Sequence, residues 1–77
     1  MKLSILKINQ PVFMGDLESI TLPTISDGEI QVLPDHSSYM SALKKGEIKY
    51  LDNGEVKKIE IEKGFVEVNR DEVLVVL

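Results

Sequence analysis

Apolar and polar residues alternate along most of this chain. Ile48 and Tyr50 alternate with Glu47 and Lys49, Ile59 and Ile61 with Lys58, Glu60 and Glu62, and Val66 and Val68 flank Glu67. A period of two places successive side chains on opposite faces of a strand, so each stretch has one dry face and one wet face. Turn-forming residues recur at short intervals between them: Asn9-Gln10-Pro11, Gly15, Ser26-Asp27-Gly28, Pro34-Asp35, Lys44-Lys45-Gly46, Asp52-Asn53-Gly54, Lys63-Gly64 and Asn69-Arg70-Asp71. The segments they bound are of strand rather than helix length. Asp52-Asn53-Gly54 supplies residues that tolerate positive φ, so Glu47–Leu51 and Glu55–Ile61 read as a hairpin. A second hairpin joins Phe65–Val68 to Glu72–Leu77, and strands near Leu3–Ile8, Leu17–Leu22 and Glu29–Leu33 complete a mainly antiparallel set. The pattern predicts an all-β sandwich or barrel.

Two stretches depart from the simple alternation. Ser38 to Gly46 has the marks of a short helix, with Ser38 as N-cap, lysines in the last turn and glycine just beyond. So short a helix is marginal alone, and a strand fits the rhythm of its neighbours, so a strand is expected. Val73-Leu74-Val75-Val76-Leu77 is apolar on both alternating faces. Either this is a central strand covered on both sides within the domain, or Leu74 and Val76 face outward onto a partner or a following domain. Phe13 and Phe65 are assigned to the core.

At 77 residues the chain is one domain, spanning 1–77, and with no cysteine its stability must come from packing. Its longest apolar run falls far short of the roughly 20 residues a membrane-spanning helix needs. The start, Met1-Lys2-Leu3-Ser4, has no cleavable apolar stretch, so the chain is expected to stay where it is made. Nine Lys and Arg against 13 Asp and Glu give a net charge of −4, which repels phosphate backbones and anionic lipid. Phe13, Tyr39, Tyr50 and Phe65 are too scattered for a base-stacking platform, so nucleic acid is not an expected partner and protein is.

Candidate chemistry is sparse. The single histidine lies in Asp35-His36-Ser37-Ser38, which collects the residue types of a hydrolytic triad. Neighbours on an extended backbone point to opposite faces and do not converge as a triad must, so a turn is the expected role. His36 with Asp27, Glu29 and Asp35 lacks the ligand count and spacing of a metal site, and the five glycines are spread singly rather than gathered into a phosphate loop. No cofactor or metal is expected. Lys44-Lys45 and Lys57-Lys58 read as solvated faces and guards of edge strands.

One extended set of motifs goes further. Val12-Phe13-Met14-Gly15-Asp16-Leu17-Glu18-Ser19-Ile20-Thr21-Leu22-Pro23 is followed by Asp27-Gly28-Glu29-Ile30-Gln31-Val32-Leu33-Pro34-Asp35-His36. Leu43-Lys44-Lys45-Gly46, Gly64-Phe65-Val66-Glu67-Val68 and Val73-Leu74-Val75 then follow in register. In order and spacing this resembles the first domain of the epsilon subunit of F-type ATP synthases. The resemblance implies an antiparallel β-sandwich of about ten short strands. It also implies a non-catalytic part of the central stalk, linking the gamma subunit to the c-ring and coupling ion flow to ATP synthesis. Such a subunit is peripheral, at the cytoplasmic face of the bacterial plasma membrane. By motif, Asp27-Gly28-Glu29 faces the polar loops of the c-ring, while His36, Tyr39, Met40 and Leu43 lie towards gamma. A basic residue in family c-ring loops gives the turn carboxylates a charge-assisted partner, and glycine lets the backbone approach closely.

The match has departures. The chain holds one extra residue between Pro23 and Gly28; Gln31 and Asp35 each stand where the family has glycine; and Ser37-Ser38 replace a usual Ala-Pro. The family's second domain, a two-helix hairpin that inhibits hydrolysis in many members and binds ATP in some, has no counterpart in these residues, so neither role is assigned to them. The competing readings are a free-standing β-sandwich that binds protein or carbohydrate, and a hydrolase centred on His36.

Overall fold

The computed structural model describes residues 1–77 as nine strands joined by tight turns, with no helix. In chain order they are β1 (Lys2–Lys7), β2 (Gln10–Asp16), β3 (Ser19–Thr24), β4 (Gly28–Val32), β5 (His36–Leu43), β6 (Gly46–Asp52), β7 (Glu55–Ile61), β8 (Gly64–Arg70) and β9 (Glu72–Val76). They form one sheet in the order β2-β1-β9-β8-β5-β3-β6-β7, with β4 added to β3. The β3–β5 junction rests on a single registered pair, Thr24 with Leu43. Two flanking backbone bonds extend it, Ile25 N–H to the Ala42 carbonyl at 2.9 Å and Lys44 N–H to the Pro23 carbonyl at 3.0 Å. At this corner the sheet folds on itself into two layers, β2-β1-β9-β8-β5 and β4-β3-β6-β7. Every pairing is antiparallel except that of β1 with β9.

The inward side of each alternation meets between the layers. Leu3, Ile5, Leu43, Val66, Val68, Val73 and Val75 come from the first layer, and Ile20, Leu22, Val32, Ile48, Tyr50 and Ile61 from the second, all buried in one cluster. Fully burying a side chain of this size contributes about 1.5–3 kcal/mol. The open side between β2 and β7 is closed by side chains. The Phe13 ring lies 4.8 Å from that of Tyr50, and the Lys57 ammonium lies over Phe13 at 5.9 Å while it donates to Asp52 at 3.1 Å. That hydrogen bond, and then the charge of Asp52, raise the Lys57 pKa above its ordinary value.

The Asp52-Asn53-Gly54-Glu55 turn has φ 54° at Asn53 and 81° at Gly54, the paired left-handed conformation of a tight hairpin. Ser38 to Leu43 is strand, as the rhythm of the chain predicts. β2 was not anticipated, because Pro11 and Gly15 read as breakers. It is an edge strand, paired only with β1 and carrying a register shift opposite Ile5 and Leu6, and such a position tolerates proline. Asp35 is left-handed at φ 64°, a conformation that favours glycine.

Candidate docking surface

Cross-strand register assembles an apolar band on the outer face of the first layer. Leu6 pairs with Val76, Val76 with Phe65 and Phe65 with Ala42, so one row crosses β1, β9, β8 and β5. Pro11 extends the row over β2, and Ile25 borders Ala42 through its backbone bond. The adjacent row runs Met14, Ser4, Leu74, Glu67, Met40. Met14 and Met40 are more than half exposed, at 68% and 60%, and Val76 and Phe65 keep 45% and 43%. Contiguous apolar surface of this kind marks an interaction site. The outer face of the second layer is different: its rows are Gln31-Thr21-Lys49-Lys58 and Glu47-Glu60, with a single apolar pair, Leu51-Val56.

These rows decide between the alternatives for Val73–Leu77. Val73 and Val75 are core, β9 is central between β1 and β8, and Leu74 and Val76 lie on the outward face that nothing in the chain covers. Phe65, expected in the core, lies on that same face. It follows the phase of β8, in which Val66 and Val68 point inward.

The turn Asp27-Gly28-Glu29 stands at the tip of the β3–β4 hairpin, with Gly28 at φ 70°. Thr24 holds it from below. Its fully buried hydroxyl donates to the Gly28 carbonyl at 2.6 Å and accepts from the Asp27 N–H at 3.0 Å. Across from β5, the Tyr39 hydroxyl donates to the Asp27 carboxylate at 2.6 Å. One of the two turn carboxylates is therefore engaged within the chain, and Glu29 projects freely into solvent.

The residues expected to face one partner, His36, Tyr39, Met40 and Leu43, do not share a face. Their spacing of three and four lines one side of a helix, whereas alternate residues share a side on a strand. Met40 points outward. Leu43 is 1% exposed within the core and offers no side chain to a partner, which corrects that expectation. Tyr39 packs at the margin of the core with its hydroxyl on the turn. His36 sets its ring edge-on to Tyr39, centroids 6.4 Å apart, with Nδ1 2.7 Å from the Ser37 carbonyl. The Ser38 hydroxyl donates to Asn69, 3.4 Å away, rather than to the imidazole. Phe65, Leu6, Val76, Met14 and Glu67 complete the face; the doubly apolar Val73–Leu77 run was the sequence signal for it. What the arrangement offers is contact area and placed charge.

All 77 residues match the family described as ATP synthase, Delta/Epsilon chain, beta-sandwich domain. The ATP synthase epsilon chain of Prochlorococcus marinus (strain MIT 9515) is 37% identical over 75 residues, which are 97% of this chain and 55% of that protein. That of Desulfitobacterium hafniense (strain DSM 10664 / DCB-2) is 39% identical over 64 residues, 83% of this chain and 48% of that protein. The chain thus spans about half the length of the curated relatives it matches. Among solved structures, a chain of the Euglena gracilis mitochondrial ATP synthase OSCP/F1/c-ring assembly superposes with a TM-score of 0.87 at 23% identity, over 96% of this chain and 48% of that one. A chain of the Tetrahymena thermophila mitochondrial ATP synthase central stalk and c-ring gives 0.81 at 14% identity, over 97% and 60%. At these identities the superpositions establish the β-sandwich fold.

Proposed function

The chain belongs to the ATP synthase delta/epsilon β-sandwich family, and from that premise we propose that it is a non-catalytic subunit of the central stalk. In this reading the apolar outer face of the first layer packs against the gamma subunit. The Asp27-Gly28-Glu29 turn meets the polar loops of the c-ring, with Glu29 supplying the free charge. The domain sits as a peripheral part of the complex at the cytoplasmic face of the bacterial plasma membrane and couples ion translocation to ATP synthesis. The observation that carries the reading is the row Leu6-Val76-Phe65-Ala42, an apolar band across four registered strands with no cover of its own.

The fold suits transmission of torque. Its two layers interlock side chains in a dense interior that resists compression, so a push at the turn is carried to the opposite layer rather than absorbed. Thr24 makes the path short, since the corner joining the layers and the base of the turn are the same residue.

The test is reconstitution. The purified chain is expected to turn over no ATP, to co-purify with gamma and to restore coupled synthesis to complexes lacking epsilon. Met40→Asp changes an exposed side chain and leaves the core intact, so it should retain the fold and lose gamma. A folded wild-type chain that neither binds gamma nor restores coupling would refute the assignment.

A further inference from the structure

Glu67 is out of character with its surroundings. It sits on β8 in the row where the apolar face meets the polar row of Asn69 and Glu72, registered against Leu74 on one side and Met40 on the other. Its outward neighbour Phe65, two residues back, belongs to the apolar row. The ion pairs of the chain are Lys45 with Glu62 and Lys57 with Asp52, so the Glu67 carboxylate has no cation within 4.0 Å. Lys2 shares the face but stands between Asp16 and Glu72 in the register, at its far margin. In the free chain water solvates Glu67 and the arrangement costs little. Once a partner covers Leu74, Phe65 and Met40, that water is gone, and a carboxylate desolvated without a counter-charge strongly opposes binding.

Resting on the proposed packing of this face against gamma, we infer that the gamma surface seated there is apolar with one cation, a Lys or Arg, placed to meet Glu67. Glu67 is then a specificity determinant of the interface. Apolar area supplies contact on either side of it, while the carboxylate sets register and rejects apolar surfaces that lack the charge. The lateral enclosure matters, because a pair desolvated between Leu74 and Met40 discriminates where a fully solvated one does not.

The experiment measures affinity for the gamma subunit of the same ATP synthase with three chains: wild type, Glu67→Gln and Glu67→Leu. Calorimetric titration gives the affinities, and thermal unfolding of each free chain checks the fold. Because Glu67 is exposed and without an ion-pair partner in the free chain, both variants should unfold at the wild-type temperature. Glu67→Gln should bind gamma about tenfold more weakly, and Glu67→Leu more weakly still despite its added apolar area, because the partner cation is left unpaired. Equal or tighter binding by Glu67→Leu would overturn the inference while leaving the stalk assignment standing. A folded wild-type chain that does not bind gamma, or that covers this face by dimerising, would overturn the assignment and the inference with it.

Discussion

Replacing Thr24 by valine removes one hydroxyl from a fully buried site and changes the side-chain shape hardly at all. Two hydrogen bonds disappear, the one donated to the Gly28 carbonyl at 2.6 Å and the one accepted from the Asp27 N–H at 3.0 Å. Each contributes about 0.5–1.5 kcal/mol net, and more when the abandoned group cannot reach water. The new methyl recovers about 0.8 kcal/mol of apolar burial. The balance is a loss of about 1–2 kcal/mol, which for a domain of this size lowers the melting temperature by roughly 5–15 °C. The effect should also be local. Amide exchange at Asp27 should accelerate well beyond what the global loss explains, since its N–H then bonds to nothing in the chain. Thr24→Ser provides the control: it keeps the hydroxyl and loses a methyl, so it is destabilised through a small cavity while the Asp27 amide stays protected. An unchanged melting temperature in Thr24→Val, with Asp27 exchanging as slowly as in wild type, would refute the view that this hydroxyl holds the turn.

Other positions give sharper signs than magnitudes. A methyl at Gly64 would lie 2.9 Å from both the Val76 carbonyl oxygen and Leu77 Cδ2, so Gly64→Ala should cost about 1–3 kcal/mol in urea unfolding by forcing β8 and β9 apart. Arg70 holds a left-handed φ of 53° in the β8–β9 turn; Arg70→Gly should raise stability by about 0.5 kcal/mol, the relief of backbone strain less glycine's entropy. The raised pKa of Lys57 favours its charged form in the folded state. Its contribution is therefore complete below the ordinary value of 10.5 and lost as pH rises through the folded-state pKa. The stability difference between wild type and Lys57→Gln should accordingly close in the strongly alkaline range and stay constant between neutral pH and 10. Glu29→Gln should leave gamma binding intact and weaken association with isolated c-rings, whereas Met40→Asp should do the reverse.

Strand positions other than that of β2 were legible because turn chemistry and a period of two leave few alternatives. Asp52-Asn53-Gly54 offers positive φ at two successive positions, and the hairpin forms there. Which side of a strand faces inward is a different question, since sliding the phase by one residue exchanges the two faces. The stretch Glu47-Ile48-Lys49-Tyr50 answers it unaided, because only one of its faces is apolar. Val73–Leu77 cannot, because both of its faces are apolar, and the side taken by Leu74 and Val76 is fixed by pairing with β1, a partner drawn from the other end of the chain. Phe65 takes its outward phase from the alternation of β8 itself, in which Val66 and Val68 point inward. On β5, Tyr39, Met40 and Leu43 lie in one regular stretch of register, and their odd spacings put Met40 on the opposite face from Leu43, so a candidate set with helical spacing mixes inward and outward residues. The candidate turn was readable for a related reason: Gly28 announces its backbone and the carboxylates beside it announce their charge. Its anchoring was not, since Thr24 and Tyr39 reach it from a buried corner and from another layer. A docking face is thus the part of a sandwich least visible in one dimension. The alternation that marks a core needs polar residues on the opposite side, and an interface removes them from that side.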